Sequence, residues 1–432
     1  MPLHSALLTV RGVECGFSNK IMNRKIVTLG VAAFSAAGLQ AADAGKVWEV
    51  TASLRGFYDD NYMTSVDEWT DASTGQKHVA QESWGIEVSP GFNLTIGEGT
   101  DLEFSAGYAF GMRYYEDRES DNEDYGHELG ISLNKAFSDT SLLQLSDSFV
   151  IAQEPEILNG GTPLRIEGDN LRNTLSASYR QVLAGNILGE LGYGNSIFDY
   201  EEAYHSALLD RSHNQVNLDV IYDMGQTEYF VGYKFASTDF DGGELKVPGL
   251  DFKSDARDND SHYGYVGVRH QLNKEFVASA QVGAQYVDYY NFDLMPGLIP
   301  EDETSPYVSA VMEWGYAEGS QLVAGLSLAR GATDLQAADQ EISAVYAQFL
   351  HKVTAKVHGT LTARYQDSEI SGGGVKVDGK EESLLLLGAS LTYAIADNIW
   401  TELAYNYDEL DSDIPHRSFE RNYVSIGIGT SY

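Results

Sequence analysis

The chain has 432 residues, with 64 Asp/Glu against 28 Lys/Arg, a formal net charge of −36, 43 Gly, 27 Tyr, 9 Pro and one Cys. Such acidity excludes nucleic acid as the expected partner, and a lone cysteine, Cys15, excludes a disulfide framework. Mean hydropathy is negative, and no apolar run reaches the ~20 residues that a membrane-crossing helix needs.

The N-terminus reads as a secretory leader. Met22-Asn23-Arg24-Lys25 is a basic start, Ile26 to Ala37 is a short apolar and small-residue run, and Ala42-Asp43-Ala44 fits a small-x-small cleavage site, with Leu39-Gln40-Ala41 a second candidate. Residues 1–21 are expected to be an upstream extension, 22–44 the signal peptide and 45–432 the mature chain. Losing the four basic and two acidic residues of 1–44 takes the net charge from −36 to −38. The mature chain then carries no thiol.

Period-two alternation follows, which places successive side chains on opposite faces of a strand. The first strand, near 46–60, sets Trp48, Val50, Ala52, Leu54 and Tyr58 against Glu49, Thr51, Ser53 and Arg55. The second (82–96) sets Trp84, Ile86, Val88, Phe92, Leu94 and Ile96 against Glu87, Ser89, Asn93 and Thr95. The third (101–115) sets Leu102, Phe104, Ala106, Tyr108, Phe110, Met112 and Tyr114 against Glu103, Ser105, Gly107 and Arg113. Fifteen more segments centre near Ile131, Phe149, Leu175, Leu191, Val220, Val231, Val266, Val282, Val311, Leu326, Ala344, Leu361, Leu387, Leu403 and Ile426.

The connections alternate in length. Gly97-Glu98-Gly99, Ala184-Gly185-Asn186, Gly225-Gln226, Ala317-Glu318-Gly319 and Ala396-Asp397-Asn398 are among the tight turns. Between them lie long, mostly acidic stretches such as 61–80, 116–124, 152–167, 239–260, 291–305, 367–381 and 408–418. Glu116 to Asp124, Asp255 to Asp260 and Asp408 to Asp413 are the densest acidic runs. None fits the twelve-residue calcium loop, so no metal ligands and no cofactor are assigned. The third long loop (Gln153 to Arg165) and the sixth (Asn291 to Pro306, with Leu294, Met295, Leu298 and Ile299) are partly apolar. Apolar loops want cover, inside the barrel or on a neighbouring protomer.

The final segment, Ser418 to Tyr432, alternates Val424, Ile426, Ile428, Thr430 and Tyr432 with small polar residues and stops on an aromatic. With the leader and the repeated alternation, this strand resembles the ending of Gram-negative outer-membrane porins, the uncharacterised porin-like barrels of about 400 residues. The resemblance implies an all-β fold: a closed antiparallel transmembrane β-barrel of about 18 strands with short periplasmic turns and long external loops. It also implies passive diffusion of small hydrophilic solutes, Tyr432 as a signal read by the barrel-assembly machinery, outer-membrane lipid as solvent, and a homo-oligomer as one possibility. An inward-folded third external loop would bring Glu154, Glu156 and Arg165 to a constriction.

The expected pore-lining charges are Glu49, Arg55, Glu87, Glu103, Arg113, Glu128, Arg172, Arg180, Lys234, Lys356, Arg364 and Glu402, joined on the same face by Glu190 and Glu228. Facing lipid, an Arg or Lys at the midplane would cost about 2–4 kcal/mol. The wall is close to charge balance, so a modest cation preference is expected to come from the loops. A structural reading competes, in which these pairs only brace the wall at about 1 kcal/mol or less each.

Trp48, Tyr58, Trp84, Tyr114, Tyr229, Tyr286, Tyr290, Trp400 and Tyr407 are expected to form two interfacial girdles. Strands of about 10–16 residues exceed the five or six usual in a soluble sandwich. No Gly-x-Ser-x-Gly, His-Glu-x-x-His, phosphate loop or dinucleotide fingerprint occurs, so no enzyme is expected. A surface adhesin or receptor acting through acidic loops, or an outer-membrane hydrolase, are the alternatives.

Overall fold

The computed structural model describes residues 47–66, 68–70, 77–118, 122–152, 170–247 and 250–432. The segment expected to be the leader and the expected constriction residues Glu154, Glu156 and Arg165 lie outside them.

Eighteen strands form one sheet. They are β1 (Trp48–Asp59), β2 (Ser83–Ile96), β3 (Leu102–Tyr115), β4 (Glu123–Ser138), β5 (Ser141–Ala152), β6 (Asn170–Ala184), β7 (Ile187–Tyr200), β8 (Arg211–Asp223) and β9 (Thr227–Phe240). The second half comprises β10 (Asn259–Gln271), β11 (Phe276–Asp288), β12 (Asp302–Ala317), β13 (Ser320–Gly331), β14 (Asp339–Lys352), β15 (Val357–Ser371), β16 (Glu381–Ala396), β17 (Ile399–Ser412) and β18 (Phe419–Ser431). Each strand pairs antiparallel with its sequence neighbour, and β1 pairs with both β2 and β18, so the sheet closes. Closure leaves no strand edge unpaired, the one way a sheet satisfies its backbone in hydrocarbon. The backbones of Val50 and Tyr432 exchange two hydrogen bonds, 2.9 and 3.0 Å, at the seam. The Tyr432 ring packs 5.9 Å from Trp48.

The alternation of the sequence is the alternation of the wall. In β1, Arg55 and Asp59 are buried inside while Val50 and Leu54 are about half exposed outside. The outer surface is a belt of Val, Ile, Leu and Phe. Tyrosines near its upper margin point their hydroxyls rimward, as in Tyr108 to His127, Tyr233 to His262 and Tyr405 to Asn422. The short turns fall at one end, where Gly185 and Gly319 take the left-handed φ of +54° and +70° that favours glycine. The long connections all fall at the other end, as a transmembrane barrel requires. Among the described residues no helix is long and apolar enough to cross a membrane; crossing is by strands.

Two sequence expectations are corrected. Lys356 is exposed in the turn before β15, not on the wall, because the alternation ends one residue later, at Val357. Trp400 is no girdle residue: it is 5% exposed and shares the inward parity of Glu402. Gly429, its register partner on β18, has no side chain, and the indole fills that slot; a Cβ there would lie 2.3 Å from the ring.

Candidate pore wall and external mouth

Strand parity carries Glu49, Arg55, Glu87, Glu103, Arg113, Glu128, Arg172, Arg180, Glu190, Lys234, Glu228, Arg364 and Glu402 to the interior face. The structure then gathers most of them into ion-pair rows. Arg55 Nη1 donates to Glu87 Oε1 at 2.5 Å, and Arg113 Nε donates to Glu87 Oε2 at 2.6 Å. These residues are direct register partners across β1, β2 and β3. On its other side Arg55 reaches Glu402 of β17 at 3.4 Å, crossing β18. It does so over Gly427, where a Cβ would come within 2.5 Å of the Arg55 Cγ. One carboxylate is therefore shared by two guanidiniums, and one guanidinium by two carboxylates.

A second row spans β6 to β10. Arg180 lies 2.7 Å from Glu228 and 4.0 Å from Glu190, and Arg269 lies 3.0 Å from Glu228. Asp219 on β8 accepts from Asn217 at 2.8 Å. Higher up, Arg421 pairs with Asp59 across the seam, with Asp408 as its register partner. Parity alone could have placed Asp59, Asp219, Arg269, Asp408 and Arg421 inside; each follows the alternation of its strand.

Lys234 is held differently. Its Nζ sits 3.7 Å from the centroid of Tyr263 and 5.0 Å from that of Tyr307, a cation–π arrangement. Arg364 of β15 donates to Gln366 at 2.9 Å. Glu49 and Glu103 sit near the periplasmic ends of their strands. Glu128 and Arg172 lie in the external half of β4 and β6.

The external mouth holds a packed cap. Helix α1 (Ala203–Leu209) follows β7, with Glu202 accepting from the backbone N–H groups of Tyr204 and His205 as its N-cap. Leu208 and Leu209 bury against Phe252, Ala256, Tyr289, Met295, Ile299 and Ala338. Phe198, Tyr200 and Val287 complete this core from the inward faces of β7 and β11, so the loops fold into the barrel mouth rather than over its rim. Of the two apolar loops picked out by sequence, the sixth enters this core; the third lies outside the described residues. The sixth loop also receives Gly373 N–H of the eighth on Leu298 O at 2.8 Å.

Two arginines hold the cap through ring faces and backbone carbonyls. Arg257 is fully buried, stacked 4.0 Å over Phe240, and donates to the carbonyls of Leu208 and Thr333. Burial lowers its pKa to about 9. Arg211 stacks 4.0 Å over Phe198 and donates to Leu209 O at 2.8 Å. Asp258 accepts from Phe240 N–H at 2.7 Å and Asn291 Nδ2 at 3.0 Å, and burial pushes its carboxyl up to about 6. Across the mouth, Arg417 of the last loop clamps Glu382 at 2.5 Å and Asp334 at 2.8 Å. The coulombic pull of both carboxylates outweighs burial and raises its pKa.

Of the acidic runs, residues 119–121 lie outside the described residues, and Asp124 pairs with Arg118 at 2.7 Å. Among the described residues no group of His, Cys, Asp and Glu is arranged to hold a metal ion. The interior thus offers fixed, mostly paired charges.

The sequence model of the family described as "Putative beta-barrel porin 2" matches residues 210–432. No curated protein matches the chain. Among solved structures, a BenF-like porin from Pseudomonas fluorescens Pf-5 is similar at 12% identity and a TM-score of 0.45, over 89% of this chain and 99% of that one. The outer-membrane protein OpdK from Pseudomonas aeruginosa is similar at 10% identity and 0.44, again over 89% and 99%. OccAB3 from Acinetobacter baumannii is similar at 11% and 0.40, over 89% and 99%.

Proposed function

The chain belongs to the family described as putative beta-barrel porin 2, an outer-membrane β-barrel family, and from that premise we propose that it is a channel for passive diffusion of small hydrophilic solutes with a modest preference for cations. The observation that carries this reading is the closed wall with its ionised interior face. An 18-stranded barrel is wide enough for side chains to leave an aqueous channel, and paired charges such as Arg55–Glu87–Arg113 keep that channel wet.

Glu49, Glu87, Glu103, Glu128, Arg55, Arg113, Arg172, Arg180, Lys234, Arg364 and Glu402 line the path in this reading. The support for the cation preference is the strongly acidic external loops; inside, Asp59 and Asp408 meet Arg421 and Glu382 meets Arg417, so the wall stays near balance. The cap formed with the sixth loop narrows the mouth. A third-loop constriction at Glu154, Glu156 and Arg165 is retained as part of the proposal. Tyr432, zipped to β1, serves as the mark read by the assembly machinery.

The test is swelling of proteoliposomes in a graded series of neutral sugars. Rapid swelling with pentoses that declines steeply for di- and trisaccharides is expected. Liposomes that contain folded barrel and stay sealed to every sugar would overturn the channel reading.

A further inference from the structure

One stretch of the outer wall breaks the apolar belt. On the lipid-facing side of β5, Leu143, Leu145, Phe149 and Ile151 share a face with Asp147. Its register partners on either side are Ile131 of β4 and Leu175 of β6. The carboxylate is therefore enclosed above, below, left and right by lipid-facing apolar side chains. Asp147 stands six residues along β5 from Ser141, which is about 15 Å up the barrel axis at ~3.3 Å per residue and a ~40° tilt. That falls within an apolar band about 25 Å tall.

Its one protein partner among the described residues is Asn173, whose Nδ2 donates at 3.1 Å. From Asp147 the hydrogen-bonding direction runs through Leu175 to Asn195, Asn214 and Ser237, where the row reaches the rim. Asn195 Nδ2 donates to Asn214 Oδ1 at 2.9 Å, and Tyr193 donates to the same oxygen at 3.1 Å. At the corresponding height other strands present Leu54, Tyr108, Val282, Ala310 or Ile426 to the lipid. Just above the row, between β4 and β7, lies a cavity of about 310 Å³ lined by Tyr125, His127, Ile151, Leu171 and Asp199.

An ionisable side chain left in hydrocarbon is costly and marks a site with a partner. Carboxylates and amides inside a membrane act as glue between protein surfaces, since lipid offers no competing hydrogen bond. We propose that the face of β5–β8 is an interface between two copies of this chain in the membrane. The patch carries its own complement: the Asp147 carboxylate accepts, and the Asn173 and Asn195 amides donate. A two-fold axis beside it brings the carboxylate of each copy to the amides of the other, the self-matching that an isologous contact demands. This inference rests on the membrane-barrel reading.

The chain's one cysteine, Cys15, lies upstream of residues 45–432, so proximity can be read by disulfide formation in intact outer membranes. Under copper-phenanthroline, Leu175→Cys, which lies between Asp147 and Asn195 in the row and leaves the carboxylate and amides in place, is expected to shift most of the chain to a band of twice the monomer mass. Leu391→Cys, on the opposite wall, is expected to stay monomeric. Native mass spectrometry of the wild-type protein in nanodiscs should give two copies, and Asp147→Leu with Asn173→Leu should give one while keeping the heat-modifiable gel shift of a folded barrel. A wild-type monomer, a dimer that survives the double substitution, or no cross-link at Leu175→Cys overturns the interface. A chain that neither enters membranes nor shows the gel shift would instead overturn the barrel reading beneath it.

Discussion

Glu87→Gln tests how far the interior charges are shielded by protein rather than by water. Glu87 is 4% exposed and accepts from Arg55 at 2.5 Å, Arg113 at 2.6 Å and Ser89 at 3.1 Å. Glutamine keeps the shape and removes the charge, leaving two guanidiniums side by side. Each charged hydrogen bond contributes about 1.5–3 kcal/mol, and breaking a buried pair costs about 3–5 kcal/mol. Arg55 retains Glu402 at 3.4 Å, which puts the expected loss at the lower end, about 3 kcal/mol. That is on the order of a hundredfold in the unfolding equilibrium. Urea unfolding from lipid vesicles, followed by tryptophan fluorescence, reads it. Adding Arg113→Met should restore part of the loss, because the second variant deletes the repelling charge, and the double-mutant cycle then gives a coupling of opposite sign. A Glu87→Gln barrel as stable as wild type to within about 0.5 kcal/mol would refute the reasoning and make these pairs equivalent to exposed ones.

Gly427→Val should destabilise by about 1–3 kcal/mol through overpacking and lengthen the Arg55–Glu402 contact, read by the same unfolding assay. Ile299→Asp, buried at 3% exposure in the cap, should loosen the mouth and raise single-channel conductance without changing the gel shift of the folded barrel. Asp258, held up at about 6 by burial against an ordinary value near ~3.9, binds a proton in the folded cap that it lacks when the cap opens. Cap stability should therefore be greatest below about pH 4 and fall as pH rises through 6. Hydrogen exchange at residues 255–260, corrected for intrinsic rates, should show this, and Asp258→Asn should flatten it. Neutralising Asp117, Glu119, Asp121, Glu123 and Asp124 together should weaken cation selectivity at ~0.1 M salt and do little at ~1 M, where the screening length is about 3 Å; reversal potentials across a KCl gradient measure it.

The barrel was legible because its periodicity has a single physical cause. A strand with lipid on one side and water on the other must alternate, and the eye recovers β1 from Trp48–Glu49–Val50 and β18 from Val424 to Tyr432. Turn glycines such as Gly319 mark where alternation stops. The cap was only half legible. Met295 and Ile299 announced a loop in need of cover, but loops have no period, so nothing in sequence joined them to Leu208, Phe252 or Tyr289. Arg257 reads in sequence as part of an acidic, solvated run, and its burial follows from Phe240 and Phe252, which supply faces on which a guanidinium can lie. Trp400 misled because indole suits both a lipid interface and an interior slot, and Gly429 opposite decides between them. Asp147 is the reverse case. Its neighbours Leu145 and Phe149 fix its outward direction, against the rule that places carboxylates inside.

Single-channel recording in planar bilayers addresses the central claim most directly. The purified folded barrel should give discrete conductance steps that scale with KCl concentration. In a tenfold gradient centred near ~0.1 M salt, the zero-current potential should carry the sign of a cation-preferring pore and shrink as salt rises towards ~1 M. Folded, membrane-inserted protein without conductance steps would contradict the channel, and an anion-selective sign that persists at high salt would place control of permeation with wall arginines such as Arg113 and Arg172 rather than with the acids.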